Sequence, residues 1–194
     1  MAAPTESKVA VGAPKIGGAI FRAPVGTALP TDESTALDVA FINQGYVSSD
    51  GFTRAINKAY ATINAWGGDE VAKSRTELSV SAEFALIQTL DSDVIESVFG
   101  TDAVTVTPAD ISSGEKIAVA YAGAELPKSL WVVELAYNGR ARRIVFPNSQ
   151  VTTEDFSQEF TDEDVAAFPV ELTSYRDASG NFFYDYSNDG VATA

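Results

Sequence analysis

The chain contains no cysteine and no histidine. The first absence excludes a disulfide framework and a thiolate metal site. The second removes the commonest metal ligand and the commonest general base at neutral pH. Carboxylates, hydroxyls, Tyr and Lys remain, and no spacing assembles them into a reacting group. Glu77 and Glu83 share a strand face but lie about 20 Å apart at ~3.3 Å per residue, too far for a catalytic carboxylate pair. The composition therefore predicts no enzyme, no cofactor and no metal. Basic residues are also scarce, 13 against 27 acidic, for a formal charge of −14. General nucleic-acid affinity needs Lys and Arg to neutralise phosphates, so it is not expected. Repulsion of a polyanion is compatible with this charge. No apolar run approaches the ~20 residues of a membrane helix. The start of the chain lacks the charged-then-apolar pattern of a secretory signal.

What the chain does have is one dominant pattern. Residues 53–65 lead up to Trp66-Gly67-Gly68-Asp69, and residues 70–90 return. On the return arm Leu78, Val80, Ala82, Phe84, Leu86 and Leu90 fall to one side, and Glu77, Ser79, Ser81, Glu83 and Thr89 fall mainly to the other. Such alternation marks a half-buried strand. Thirteen strand residues span about 43 Å, well beyond the usual ~5–6 residues. A small domain has little use for such an arm, whereas an assembly that must reach a neighbouring copy does. Trp66 at the tip has two readings. It packs on its own core, or it anchors on a second subunit, as large aromatics with few rotors often do.

Elsewhere the reading is mostly strands and turns. Residues 1–17 form a flexible arm, 18–189 a single β domain with the hairpin loop at 49–76, and 190–194 a frayed end. Gly18–Ala23 and Ala40–Val47 read as strands, with Pro24–Asp38 an extended loop between them. Ser48-Ser49-Asp50-Gly51 reads as a turn. Asp91–Phe99 predicts a short helix. Asp91 or Ser92 can cap it, its apolar residues recur at helical spacing, and Gly100 stops it. Leu130–Tyr137 and Arg140–Phe146 form a hairpin about Asn138-Gly139, because both central positions of a two-residue turn need positive φ. Thr152–Asp164 carries six carboxylates and no cation, a solvated loop pinned by Phe156 and Phe160. Phe168–Tyr175 is a strand, Asp177–Asn181 a turn without the closing Glu of a calcium loop, and Phe182–Tyr186 pairs back. Arg140, Arg142 and Arg143 are split across both faces of a strand. They either meet a neighbour's acidic surface or form an ordinary solvated edge. The sum is a mostly β fold of two packed antiparallel sheets, a sandwich or barrel, with one short flanking helix.

Several segments, taken in order, resemble the major tail tube proteins of long-tailed phages of actinobacteria. They include the FRAP-GTALPTD stretch, the GYVSSDG segment, the AWGG tip, the short helix ending in FG, ELP-SLWV and RIVFPN-QVT. The resemblance runs from Gly18 to about Asp189. It implies six subunits in a ring, with inner sheets forming a continuous barrel around a lumen. Rings stack into a tube held by a bridging loop, here Ser49–Thr76 with its tip at Ile63–Asp69. The implied inter-ring contacts are Ile63, Trp66, Gly67, Gly68 and Asp69. The implied partners are further copies of the chain, a tape-measure protein, and the tail terminator and tip proteins. DNA passes through without specific binding, and the implied location is the virion tail, assembled in the host cytoplasm. By strand alternation Glu77, Ser79, Ser81, Glu83, Glu171 and Thr173 line either the lumen or an ordinary solvated face. The competing reading of the whole chain is a monomeric β-sandwich module for surface binding or adhesion.

Overall fold

The computed structural model describes residues 9, 12–15 and 18–191. The expected arm at 1–17 and frayed end at 190–194 fall largely outside them. Among the described residues, ten strands and one α-helix follow in order: β1 Ile20–Pro24, β2 Ile42–Asn43, β3 Val47–Asn64, β4 Glu70–Leu86, α1 Ser92–Phe99, β5 Val104–Thr107, β6 Lys116–Val119, β7 Ser129–Tyr137, β8 Arg140–Val151, β9 Phe168–Ser174 and β10 Tyr184–Asn188. β5 and β6 make a small two-stranded sheet, and the other eight form one antiparallel sheet in the order β2-β1-β7-β8-β9-β4-β3 with β10 also on β8. The fold is mostly β with two antiparallel sheets and one helix, as the pattern of short strands predicts.

β8 is what gives the large sheet two layers. Its first half, Ala141–Val145, pairs with β10, and its last residues, Ser149–Val151, pair with β9. The strands beyond it therefore diverge and fold back over the β1-β7-β8 half. Between the layers lies the main core. Ile20, Trp131, Val133, Ile144 and Phe146 come from one side, and Val80, Ala82, Phe84, Leu86, Phe168, Val170 and Leu172 from the other. Burial of each large apolar side chain stabilises the fold by roughly 1.5–3 kcal/mol. Helix α1 closes one end with Val94, Ile95 and Val98. The Asp91 carboxylate caps it, accepting from the amides of Asp93 (3.0 Å) and Val94 (3.4 Å). A second, smaller core of Ala23, Leu130, Val132 and Val145 lies on the other side of β1-β7-β8, with Phe21, Leu37, Phe41, Tyr184 and Tyr186 packed on it.

Four expectations change. Ser48–Gly51 is not a turn. It is an irregularity inside β3, where the register slips between Val47 and Phe52, because Gly51 supplies a φ of +77° that lets the strand bulge and continue. The strand expected over 40–47 shrinks to Ile42–Asn43. After the Asp177–Asn181 turn the chain does not pair back on β9 but crosses to β8. Leu90 lies past the end of β4 and is exposed. The Asn138-Gly139 hairpin is as expected, with φ of +48° and +77°.

Candidate functional site

Two surfaces are not consumed by folding. The first is the outer part of the β3–β4 hairpin. β9 pairs with β4 only from Leu86 to Val80. Beyond Ile56 and Val80, β3 and β4 pair only with each other among the described residues, and every residue from Asn57 to Glu77 is exposed. This free ribbon projects about 30 Å at ~3.3 Å per residue. Its tip turns through Gly67 and Gly68, at φ of +119° and +100°, where a side chain would be strained. The amides of Ala65 and Gly68 donate to the carbonyls of Asp69 and Ala65 across the turn. Trp66 is fully exposed and Ile63 half exposed. β3 is also the last strand of its sheet, so a long hydrogen-bonding edge lies open, a liability unless another chain covers it.

Opposed residues of the ribbon share a face. Ile56 opposes buried Val80, and the same face continues outward through Lys58 with Leu78, Tyr60 with Arg75, and Thr62 with Lys73. Lys73 is bonded to Glu70 within the ribbon, at 3.3 Å between exposed groups. The other face carries Asn57, Ala59, Ala61 and Ile63 opposite Ser79, Glu77, Ser74 and Ala72.

The second surface is the solvent side of β4 and β9. Ser81 stands opposite Thr173, and Glu83 opposite Glu171. Of the six residues placed on this face by alternation, these four come together on the body, while Glu77 and Ser79 lie out on the ribbon. Asp50, Glu154 and Asp155 join Glu83 and Glu171 around a shallow groove whose lining includes no Lys or Arg. Sequence reading missed those three, because they meet only through the irregular start of β3 and a loop running antiparallel to β9. That loop is fixed by the Thr152 amide on the Glu171 carbonyl (2.8 Å) and the Glu171 amide on the Thr153 hydroxyl (3.0 Å). Among the described residues no carboxylate cluster is arranged to hold a metal ion.

The three arginines are not a shared patch. Arg143 is buried and ion-paired with Glu134 on β7, and its Nη1 donates to the Asp32 carbonyl at 2.7 Å. This locks the 25–38 loop over the smaller core, and Lys15 reaches the other Glu134 oxygen at 2.6 Å. Arg142 donates twice to Asp185 on β10, at 2.8 and 2.6 Å. Asp185 also accepts from Arg54 on β3 at 3.0 Å. Arg142 and Arg143 therefore serve their own subunit, because neighbouring strands supply carboxylates to both. Arg140 opposes Tyr137 at the turn and also has an interaction partner. Phe156 packs edge-to-face on Phe99 and tilted on Phe168 as a pin, whereas Phe160 does not pin the loop and is mostly exposed.

No described helix is long and apolar enough to cross a membrane. Comparison with curated proteins yields no match. A family model described as phage tail tube protein matches residues 3–194. With that match over nearly its whole length, the chain belongs to the phage tail tube family and is a structural, self-assembling component of a virion tail.

Proposed function

We propose that this subunit closes into hexameric rings that stack into a tube, and that the tube conducts the genome at delivery. The free ribbon carries this reading. It spends about 30 Å of chain at strand rise on a two-stranded structure that no other described strand pairs with. An exposed Trp66 at its end is useful only if something covers it. Burying a ring of 150–250 Å² at about 25 cal/mol per Å² yields roughly 4–6 kcal/mol per contact before ordering costs. Repeated around a ring, such contacts hold one layer on the next. Ile63, Trp66, Gly67, Gly68 and Asp69 are the contacting tip.

The solvent side of β4–β9 is the lumen wall in this reading. The Glu83 and Glu171 carboxylates repel phosphates, and Ser81 and Thr173 add no positive charge, so DNA slides without binding. The tube encloses a tape-measure protein and ends on terminator and tip proteins, with assembly in the host cytoplasm. The test is electron microscopy and mass measurement of the purified chain beside a variant trimmed of residues 63–70. The intact chain is expected to give six-fold tubes, and the trimmed chain a folded subunit that does not elongate. Tubes of normal length from the trimmed variant, or only compact monomers from the intact chain at high concentration, overturn the reading.

A further inference from the structure

The two ends of β4 differ in charge. The ribbon from Asn57 to Glu77 holds Lys58, Lys73 and Arg75 against Asp69, Glu70 and Glu77, so it is neutral, while the rest of the chain carries ten basic and twenty-four acidic residues. Lys58 and Arg75 sit on one face with Ile56 and Tyr60, just beyond the edge of the body. Ile56 and Tyr60 are each about half exposed. This face has aromatic and cationic groups and no partner strand or helix among the described residues.

Its complement lies at the opposite end of the same molecule. β9 begins at Phe168 opposite Leu86, the end of β4 farthest from the ribbon. The segment just before it, Gln158–Val165, therefore emerges at that far end. It carries Glu159, Asp162, Glu163 and Asp164, none of them ion-paired among the described residues, around exposed Phe160 and Val165. A basic face with apolar residues at one end and an acidic segment with apolar residues at the other is a head-to-tail arrangement. Such an interface generates open stacks.

Resting on the tube reading, we infer that the Ile56–Lys58–Tyr60–Arg75 face docks on Gln158–Val165 of a second copy in the next layer. Charge complementarity selects the partner and register, and Phe160 against Tyr60 and the two cations supplies aromatic and cation–π contact. Trp66 then reaches farther along that neighbour.

The test is a charge swap within one chain. Lys58→Glu with Arg75→Glu, and separately Glu159→Lys with Asp162→Lys, are each expected to shorten tubes about tenfold, the effect of opposing several exposed charges. All sites are exposed, so circular dichroism and urea midpoints should not move. The chain bearing all four substitutions should elongate again, which a merely structural role would not produce. Normal tubes from the first variant, or no recovery in the fourfold variant, overturn this contact. If tubes also survive trimming of residues 63–70, the tube reading fails with it. If trimming abolishes them while the charge variants elongate, only this contact fails.

Discussion

Glu83 and Glu171 stand directly opposite each other across β4 and β9, on the solvent side of the sheet. Like charges in that position are unfavourable by roughly 0.2–1 kcal/mol relative to a neutral pair. Folding gains nothing from the arrangement, whereas the proposed lumen wall gains repulsion of phosphates from it. Glu171→Gln is therefore expected to raise the urea midpoint of the unassembled subunit by that small amount. Tubes should still form, but genome transfer through virions carrying it should slow as the wall loses repulsion. An unchanged midpoint would mean that solvent already screens the pair.

The two tryptophans of the chain occupy opposite environments. Trp131 is fully buried, with its indole N–H donating to the Ser129 hydroxyl at 2.8 Å, and Trp66 is fully exposed. Trp66→Ala should leave subunit stability within about 0.5 kcal/mol, as surface changes usually do, while stopping elongation. In a Trp131→Phe background the emission of Trp66 should move to shorter wavelength on polymerisation. Emission that stays at its solvent-exposed position in formed tubes would show that the tip never docks.

Arg143 and Glu134 form a buried pair between β8 and β7, and Arg143 also holds the 25–38 loop through the Asp32 carbonyl. Glu134→Ala strands a buried guanidinium and should cost about 3–5 kcal/mol. Glu134→Leu combined with Arg143→Met should recover much of that, since replacing a whole buried pair with apolar groups is often neutral. Urea denaturation of the two variants decides the matter. An equal loss in the double variant, which also gives up the Arg143 bond to Asp32, would show that apolar packing does not replace the pair.

Local chemistry explains what could be read from the chain. Asn138-Gly139 specifies its turn because few residues tolerate two positive φ values in succession. Asp91 and Gly100 bracket α1 because an orphan amide and a left-handed stop have few solutions. Alternation from Leu78 to Leu86 sorted β4 into a core face and a solvent face. The failures are long-range. Glu134 opposite Arg143 was within reach of the sequence, since the Asn138-Gly139 turn sets that register, but the 25–38 loop that Arg143 anchors through Asp32 was not. Asp50 and Asp155 approach Glu83 only through tertiary pairing. Ser48–Gly51 has turn chemistry in a place where β4 offers a ladder to continue on. Lys58 joins Ile56 and Tyr60 by simple alternation on β3, but Arg75 reaches that face only through the register shift between Ala59 and Tyr60, and the face matters only because β9 ends opposite Val80.

Asp185 links three strands, accepting from Arg142 of β8 and Arg54 of β3. Burial acts to raise its pKa, but the hydrogen bonds from Arg142 and then Arg54 outweigh it and hold the carboxyl below the ordinary range. A carboxyl depressed in the folded state binds its proton first in the unfolded chain. Its contribution is thus complete above the unfolded value of about 3.9 and is lost as pH falls through the lower folded value. Asp32, Asp110 and Asp177 have the same sign, each lowered by hydrogen bonds within its own turn or from Tyr184. Asp93 has the opposite sign, because burial raises it. Stability should therefore fall on acidification below about pH 4. Asp185→Asn should be weaker than the native subunit at neutral pH, with a shallower acid dependence, and the two should converge at the lowest pH. Urea midpoints across that range provide the measurement. Parallel curves would show that Asp185 contributes as a packed side chain, and that β3 and β8 are not held to β10 by charge.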